Sequence, residues 1–186
     1  AVTALKNSLI LGFSSATLVM AFMAVAAWIV VRSQIPGRKI LDGLAFLPLV
    51  VPGLVMGLAL SFVYLRSPIP IYGTLWLLLI AYLTVFLPLG VRTISGVMLQ
   101  IDRTLEESAQ MCGAGWGYRL RTVTMPLLRP GLIAAALLLF IASVRELGAS
   151  ILLMGPKAKV ITPAIVESWF STSTELTAAM ALLQTL

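Results

Sequence analysis

Histidine is missing from this 186-residue chain, cysteine occurs once, and charged residues make up only 11% of it. Without histidine, neither a Ser-His-Asp nor a Cys-His catalytic arrangement can be assembled, and zinc loses one of its usual ligands. The lone Cys112 cannot close an internal disulfide. The chain starts at Ala1 and shows no signal-peptide pattern. Soluble domains carry about 25% charged residues. A chain this poor in charge, 60% hydrophobic and with a mean hydropathy of +1.03, cannot hide its apolar surface in a globule of its own size. The same numbers exclude disorder and a nucleic-acid-binding domain, despite a net charge of +6. An all-α integral membrane protein fits them.

The few charges delimit the spans. Lys6 and Arg32 enclose 25 uncharged residues, Asp42 and Arg66 enclose 23, and Arg66 and Arg92 enclose 25. Each window exceeds the ~20 residues that cross the hydrocarbon core as helix. A fourth runs from Gly131 to about Met154, interrupted only by Arg145 and Glu146. A fifth starts near Leu176 and stops at Leu186, long enough as helix for about half a bilayer. About five spans are therefore expected, at 8–31, 44–65, 70–91, 131–154 and from 176 onward. The whole of 1–186 reads as one transmembrane domain, incomplete because it ends within a membrane helix. The joints 32–43 and 92–130 hold eight cations, from Arg32 to Arg129, whereas the opposite joints hold four: Lys6, Arg66, Lys157 and Lys159. The positive-inside rule places the eight in the cytoplasm and residue 1 outside, with at least one further helix expected upstream.

Three features stand out within the spans. Gly53, Gly57 and Ser61 recur every fourth residue, a spacing that lets helices approach closely. Pro48, Pro52 and Pro88 suggest kinks. Arg145 and Glu146 lie inside the fourth window, where a charge is costly and faces protein or water. Adjacent residues point about 100° apart, so each is expected to need its own partner. For Glu146 that is expected on another helix or in an opposing half near the outer gate, with Gly148 and Ala149 permitting close approach. A structural ion pair and a gate role are both open.

Residues 92–130 are long for a connection and are expected to have structure of their own. Asp102–Cys112 reads as a short helix, with Thr104 as N-cap and Glu107 three residues on, a capping box. Leu105, Ala109, Cys112 and Trp116 would form one apolar stripe. Gly113, Gly115 and Gly117 would then break the helix, and Tyr118–Val123 would form a second amphipathic stretch ended by Pro126 and Pro130. Patterning alone leaves two readings: a docking element for another protein, or an amphipathic segment lying on lipid.

Spacing decides between them. Glu107-Ser108-Ala109, Gly113-Ala114, Val123 and Met125-Pro126 stand at the intervals of the pattern E-A-A-x3-G-x9-I-x-L-P, with small or aliphatic replacements at Ser108, Val123 and Met125. The segment resembles the EAA coupling loop of binding-protein-dependent ABC importer permeases. Phe46 to Gly57 resembles the second core helix of that family. Phe140 to Leu153, with its Arg145-Glu146-Leu147, resembles the ferric-iron-type branch, and the chain resembles the C-terminal half of a fused permease.

The resemblance implies the type I importer permease fold, a bacterial inner-membrane location and a role in ATP-driven import, with ferric iron as the expected solute; phosphonate, thiamine and polyamine are alternatives. It implies three protein partners besides lipid: cytoplasmic ABC ATPase subunits, a second permease half and an extracytoplasmic solute-binding protein. This chain would bind no cofactor, because ATP and Mg belong to the ATPase. The cytoplasmic coupling loop would be 102–126. In it Leu105, Met111 and Trp116 would anchor in the ATPase, Glu107 would cap the helix and meet a charged ATPase residue, Ala109 and Val123 would complete the motif, Gly113 would permit the turn because a Cβ would obstruct it, and Pro126 would fix the exit. Two other classes compete. A membrane enzyme would need a nucleophile with a base, a carboxylate pair or a metal cluster, and the sequence offers none of these. A channel or exporter without a binding protein would ignore an ATPase subunit.

Overall fold

The computed structural model describes residues 2–171 and 174–185. Ala1 and Leu186, on which the expectations about the two chain ends bear, lie outside them. The described residues form helices joined by short turns. Three are long and apolar enough to cross a membrane: α1 (Val2–Arg32), and the spans Leu75–Gln100 and Trp116–Val144. Between the first two lie α2 (Arg38–Val50) and α3 (Gly53–Leu65), which count as one further span if taken together. We label Leu75–Gln100 α4, Arg103–Met111 α5 and Trp116–Val144 α6. The short turn Ser150–Leu153 (α7), Ile161–Phe170 (α8) and Thr174–Thr185 (α9) complete the order. The fifth apolar window is thus represented by a helix of 12 residues.

The core follows from one stripe of α1. Ala4, Ser8, Leu11, Ser15, Val19, Met23 and Ala27 recur at helical spacing and are buried. They pack against α4, where Leu77, Leu78, Ala81 and Ile94 are fully enclosed, and against α6. Because the stripe is mostly small, backbones come close, and packing rather than water exclusion holds such helices together in lipid. Ser15 Oγ donates to Ser143 Oγ at 2.9 Å across α1 and α6, a buried polar pair satisfied within the bundle.

α1 and α4 run in the same direction. Their C-terminal ends meet where the Arg32 guanidinium donates to the carbonyls of Met98 (3.0 Å), in the last turn of α4, and of Ile101 (2.7 Å), its C-cap. Arg103 donates to the Val31 carbonyl at 2.7 Å. The two arginine-rich segments therefore sit at one end of the bundle. At the other end, Asn7 Nδ2 donates to the Lys159 carbonyl (2.9 Å) and the Ile161 N–H to Ser8 Oγ (2.8 Å). The topology check is labelling of single cysteines from outside intact cells, in a Cys112→Ser background. Lys157→Cys and Ser171→Cys should react, and Arg38→Cys and Arg103→Cys should not. The reverse pattern would invert the assignment.

Five expected boundaries need correction. The span 44–65 is not one helix: α2 and α3 are bent by 98° across Val51 and Pro52. Pro52 has no N–H to continue the ladder. The span 70–91 starts later, at Leu75, and runs on to Gln100. Arg92 marks an interface and not a helix end, since its guanidinium lies 3.9 Å above the Phe46 ring. The connection 92–130 shrinks accordingly, for α6 starts at Trp116. Pro126 and Pro130 do not end a helix. A wide π-turn at Leu120–Thr124, closed by the Met125 N–H on the Leu120 carbonyl, precedes Pro126 and lets the helix continue. Finally, the span 131–154 stops at Val144.

Candidate functional site

Asp102, not Thr104, caps α5: its carboxylate accepts from the Thr104 N–H at 3.0 Å. Thr104 lies in the first turn, so the expected capping box is not formed. α5 thus starts at Arg103, two residues before the first residue a Thr104 cap would give. The Thr104 N–H, more than its hydroxyl, holds the Asp102 carboxyl below its usual 3.8. The cap is therefore charged at neutral pH and weakens only as pH falls below that value.

The other end of α5 is a Schellman closure. The Gly113 N–H donates to the Gln110 carbonyl at 2.9 Å and the Ala114 N–H to the Ala109 carbonyl at 3.0 Å. Gly113 has φ +82°, and no atom lies within 4 Å of the position of an added Cβ. Glycine is required by backbone conformation, and the expected steric obstruction is absent. With Cys112 as C-cap, the expected stripe also divides. Leu105 and Ala109 lie on α5, whereas Trp116 opens α6.

α5 has no buried residue. Leu105 is 47% exposed and Met111 88%. Trp116 meets Trp28 of α1 edge-on at 5.6 Å, yet is 58% exposed. Glu107 is exposed and, among the described residues, has no hydrogen-bond or ion-pair partner. The neighbouring Glu106 turns inward: Thr124 Oγ1 donates to its Oε1 at 3.0 Å, and Arg32 Nε stands 3.7 Å away. Reading the sequence singled out Glu107 and passed over Glu106; only the inward face of a helix already placed separates them. Val123 is half-buried in the π-turn, and Pro126 is exposed two residues beyond it.

A second constellation forms where two helix breaks meet. Arg145 is the C-cap of α6 and is exposed. The Glu146 carboxylate accepts from the N–H groups of Ala149 (2.8 Å) and Ser150 (3.0 Å). The two charges are therefore at a break and not within a continuous helix, and Glu146 is partnered by the backbone of its own break rather than by another helix. Gly148 and Ala149 do permit close approach, but to α3. An added Cβ on Gly57 would stand 2.9 Å from the Ala149 Cα and carbonyl oxygen, and one on Gly53 would stand 3.4 Å from Glu146 Oε1. Gly57 and Ser61 are buried.

No group of three or more potential metal-ligating side chains occurs among the described residues.

Residues 18–186 match the family described as binding-protein-dependent transport system inner membrane component. The chain is 32% identical, over 92% of its length, to the trehalose transport system permease protein SugB of Mycobacterium tuberculosis (strain CDC 1551 / Oshkosh). It is 30% identical, over 89% of its length, to the Fe(3+)-transport system permease protein FbpB 2 of Haemophilus influenzae. It spans 62% of the first protein and 33% of the second. In fold it is similar to a chain of a bacterial alginate ABC transporter in complex with an alginate pentasaccharide-bound periplasmic protein, with a TM-score of 0.81, 18% identity, and coverage of 98% of this chain and 72% of that one. With the match extending over nearly its whole length, the chain belongs to the family of binding-protein-dependent transport system inner membrane components.

Proposed function

We propose that this chain is the transmembrane permease component of an ATP-driven ABC importer, coupling a translocation path to a cytoplasmic ATPase through residues 102–126. The observation that supports this most directly is α5, a helix capped at both ends that buries none of its own residues yet presents Leu105 and Met111 outward at the arginine-rich end. Exposed apolar side chains on a preformed helix mark a protein contact. In this reading Leu105, Met111 and Trp116 enter the ATPase surface and Glu107 pairs with a cation there. Ala109 and Gly113 shape the turn, and Val123 and Pro126 lie where the coupling segment passes into the span. The ATPase holds ATP and Mg, and this chain makes no bonds. A second permease half and an extracytoplasmic solute-binding protein complete the assembly. Arg145 and Glu146 lie where the path would be gated.

Ferric iron as the solute rests on the resemblance of 140–153 alone. The relatives' names span trehalose and Fe(3+), so similarity does not single out iron. The test co-expresses the chain with the ATPase encoded beside it. The native Cys112, which is exposed, should crosslink to that ATPase, and hydrolysis in liposomes should rise when the loaded binding protein is added. Absence of both would favour a channel or exporter without a binding protein.

A further inference from the structure

Of two adjacent glutamates on α5, Glu106 turns toward the bundle and Glu107 stays exposed, on a helix with no buried residue of its own. None of its residues is buried, so α5 is held by its chain ends and by polar ties. Arg103 reaches the Val31 carbonyl at 2.7 Å, near the start of the helix. Arg119 donates to Gln110 Oε1 at 2.5 Å, from α6 itself. Only Glu106, among the described residues of α5, engages α1 and α6 with one side chain. It accepts from Thr124 Oγ1 (3.0 Å) in the π-turn and pairs with Arg32 Nε (3.7 Å). Arg32 is itself fixed, for it holds the last carbonyls of α4 and is only 6% exposed. The Glu106 side chain is partly shielded, at 22% exposed, so its contacts are screened less than those of a fully exposed pair.

We propose that Glu106 is the positioning residue that locks α5 to the bundle, through Thr124 on α6 and Arg32 on α1, so that displacement of the coupling helix reaches three helices at once. Its neighbour Glu107 is left to bind the partner. The inference rests on the importer reading and adds a division of labour between the two acids. Glu106 governs transmission, and Glu107 governs affinity.

The experiment uses the single native cysteine as a reporter. A nitroxide on Cys112 senses whether α5 is docked, with no partner needed. A hydrogen bond to a charged group biases a two-state equilibrium by about tenfold or more. Glu106→Leu should therefore free the label, and should lower binding-protein-stimulated ATP hydrolysis by about tenfold while the ATPase still co-purifies. Glu106→Gln keeps an oxygen for Thr124 and should be intermediate in both readouts. Thr124→Val should resemble Glu106→Gln. Glu107→Gln should weaken co-purification and leave the label immobile. An immobile label in Glu106→Leu overturns the proposal, whether or not coupling is lost. So does a mobile label with normal stimulation. If the unmodified chain fails to bind the ATPase, the importer reading falls, and label mobility still decides whether Glu106 holds the helix.

Discussion

Gly113→Val is expected to uncouple ATP hydrolysis from transport while leaving the protein inserted. Gly113 closes α5 at φ +82°, where an L side chain is strained by about 1–2 kcal/mol. A β-branched residue is disfavoured further. The space around the position is open, so the effect comes from backbone conformation and not from a clash. With no buried residue to hold α5 in place, a strain of about 2 kcal/mol shifts the turn's equilibrium by roughly 30-fold. Gly113→Asn, which tolerates the left-handed region, should retain most coupling, and Gly113→Ala should lie between. The measurement is solute transported per ATP hydrolysed in liposomes. Equal coupling in Gly113→Val and Gly113→Asn would remove the conformational argument.

Glu146→Ala should destabilise the meeting point of the two breaks. It deletes the acceptor of the Ala149 and Ser150 N–H groups, both in buried residues. Hydrogen bonds to a charged group contribute about 1.5–3 kcal/mol, so a net loss on the order of 3 kcal/mol is expected after relaxation. For a chain of this size that lowers the melting temperature by roughly 6–12 °C. Loosening this break should also raise basal hydrolysis and impair transport, because Ala149 rests against Gly57 of α3. Glu146→Gln keeps one acceptor oxygen and should show about half the thermal shift. Equal loss in both variants would make the charge, and not the two bonds, the relevant property. An unchanged melting temperature and basal rate in Glu146→Ala would show that the break holds without it.

Charge-free windows locate α1 and α4 because the bilayer imposes one simple rule, apolar residues over about 30 Å. Helix ends obey a different rule. Arg92 is followed by two more helical turns, since its cation lies over the Phe46 ring without ending the hydrogen-bond ladder. Pro52 signals a break, but the 98° bend depends on Gly148 and Ala149, which a local pattern cannot see. The same holds at α5. Thr104 and Asp102 both suit an N-cap, and residue type alone does not choose between them. The family spacing points to 102–126, proposed above as the coupling segment, and to Gly113 within it. It could not show that Glu106 faces Thr124 and Arg32, because adjacent acids look alike until the helix is rotated into place.

The meeting of the two breaks also sets an order of assembly during synthesis. The Pro52–Gly53 break leaves the ribosome about 90 residues before Glu146–Ser150, the segment that packs against it. At 5–20 residues per second that is a delay on the order of 5–20 s. Non-helical backbone at membrane depth is tolerated only where protein or water covers it. Until the second break arrives, a bent α2–α3 lacks the cover of Gly148 and Ala149, so the first break must either be sheltered by the insertion machinery or remain unbent.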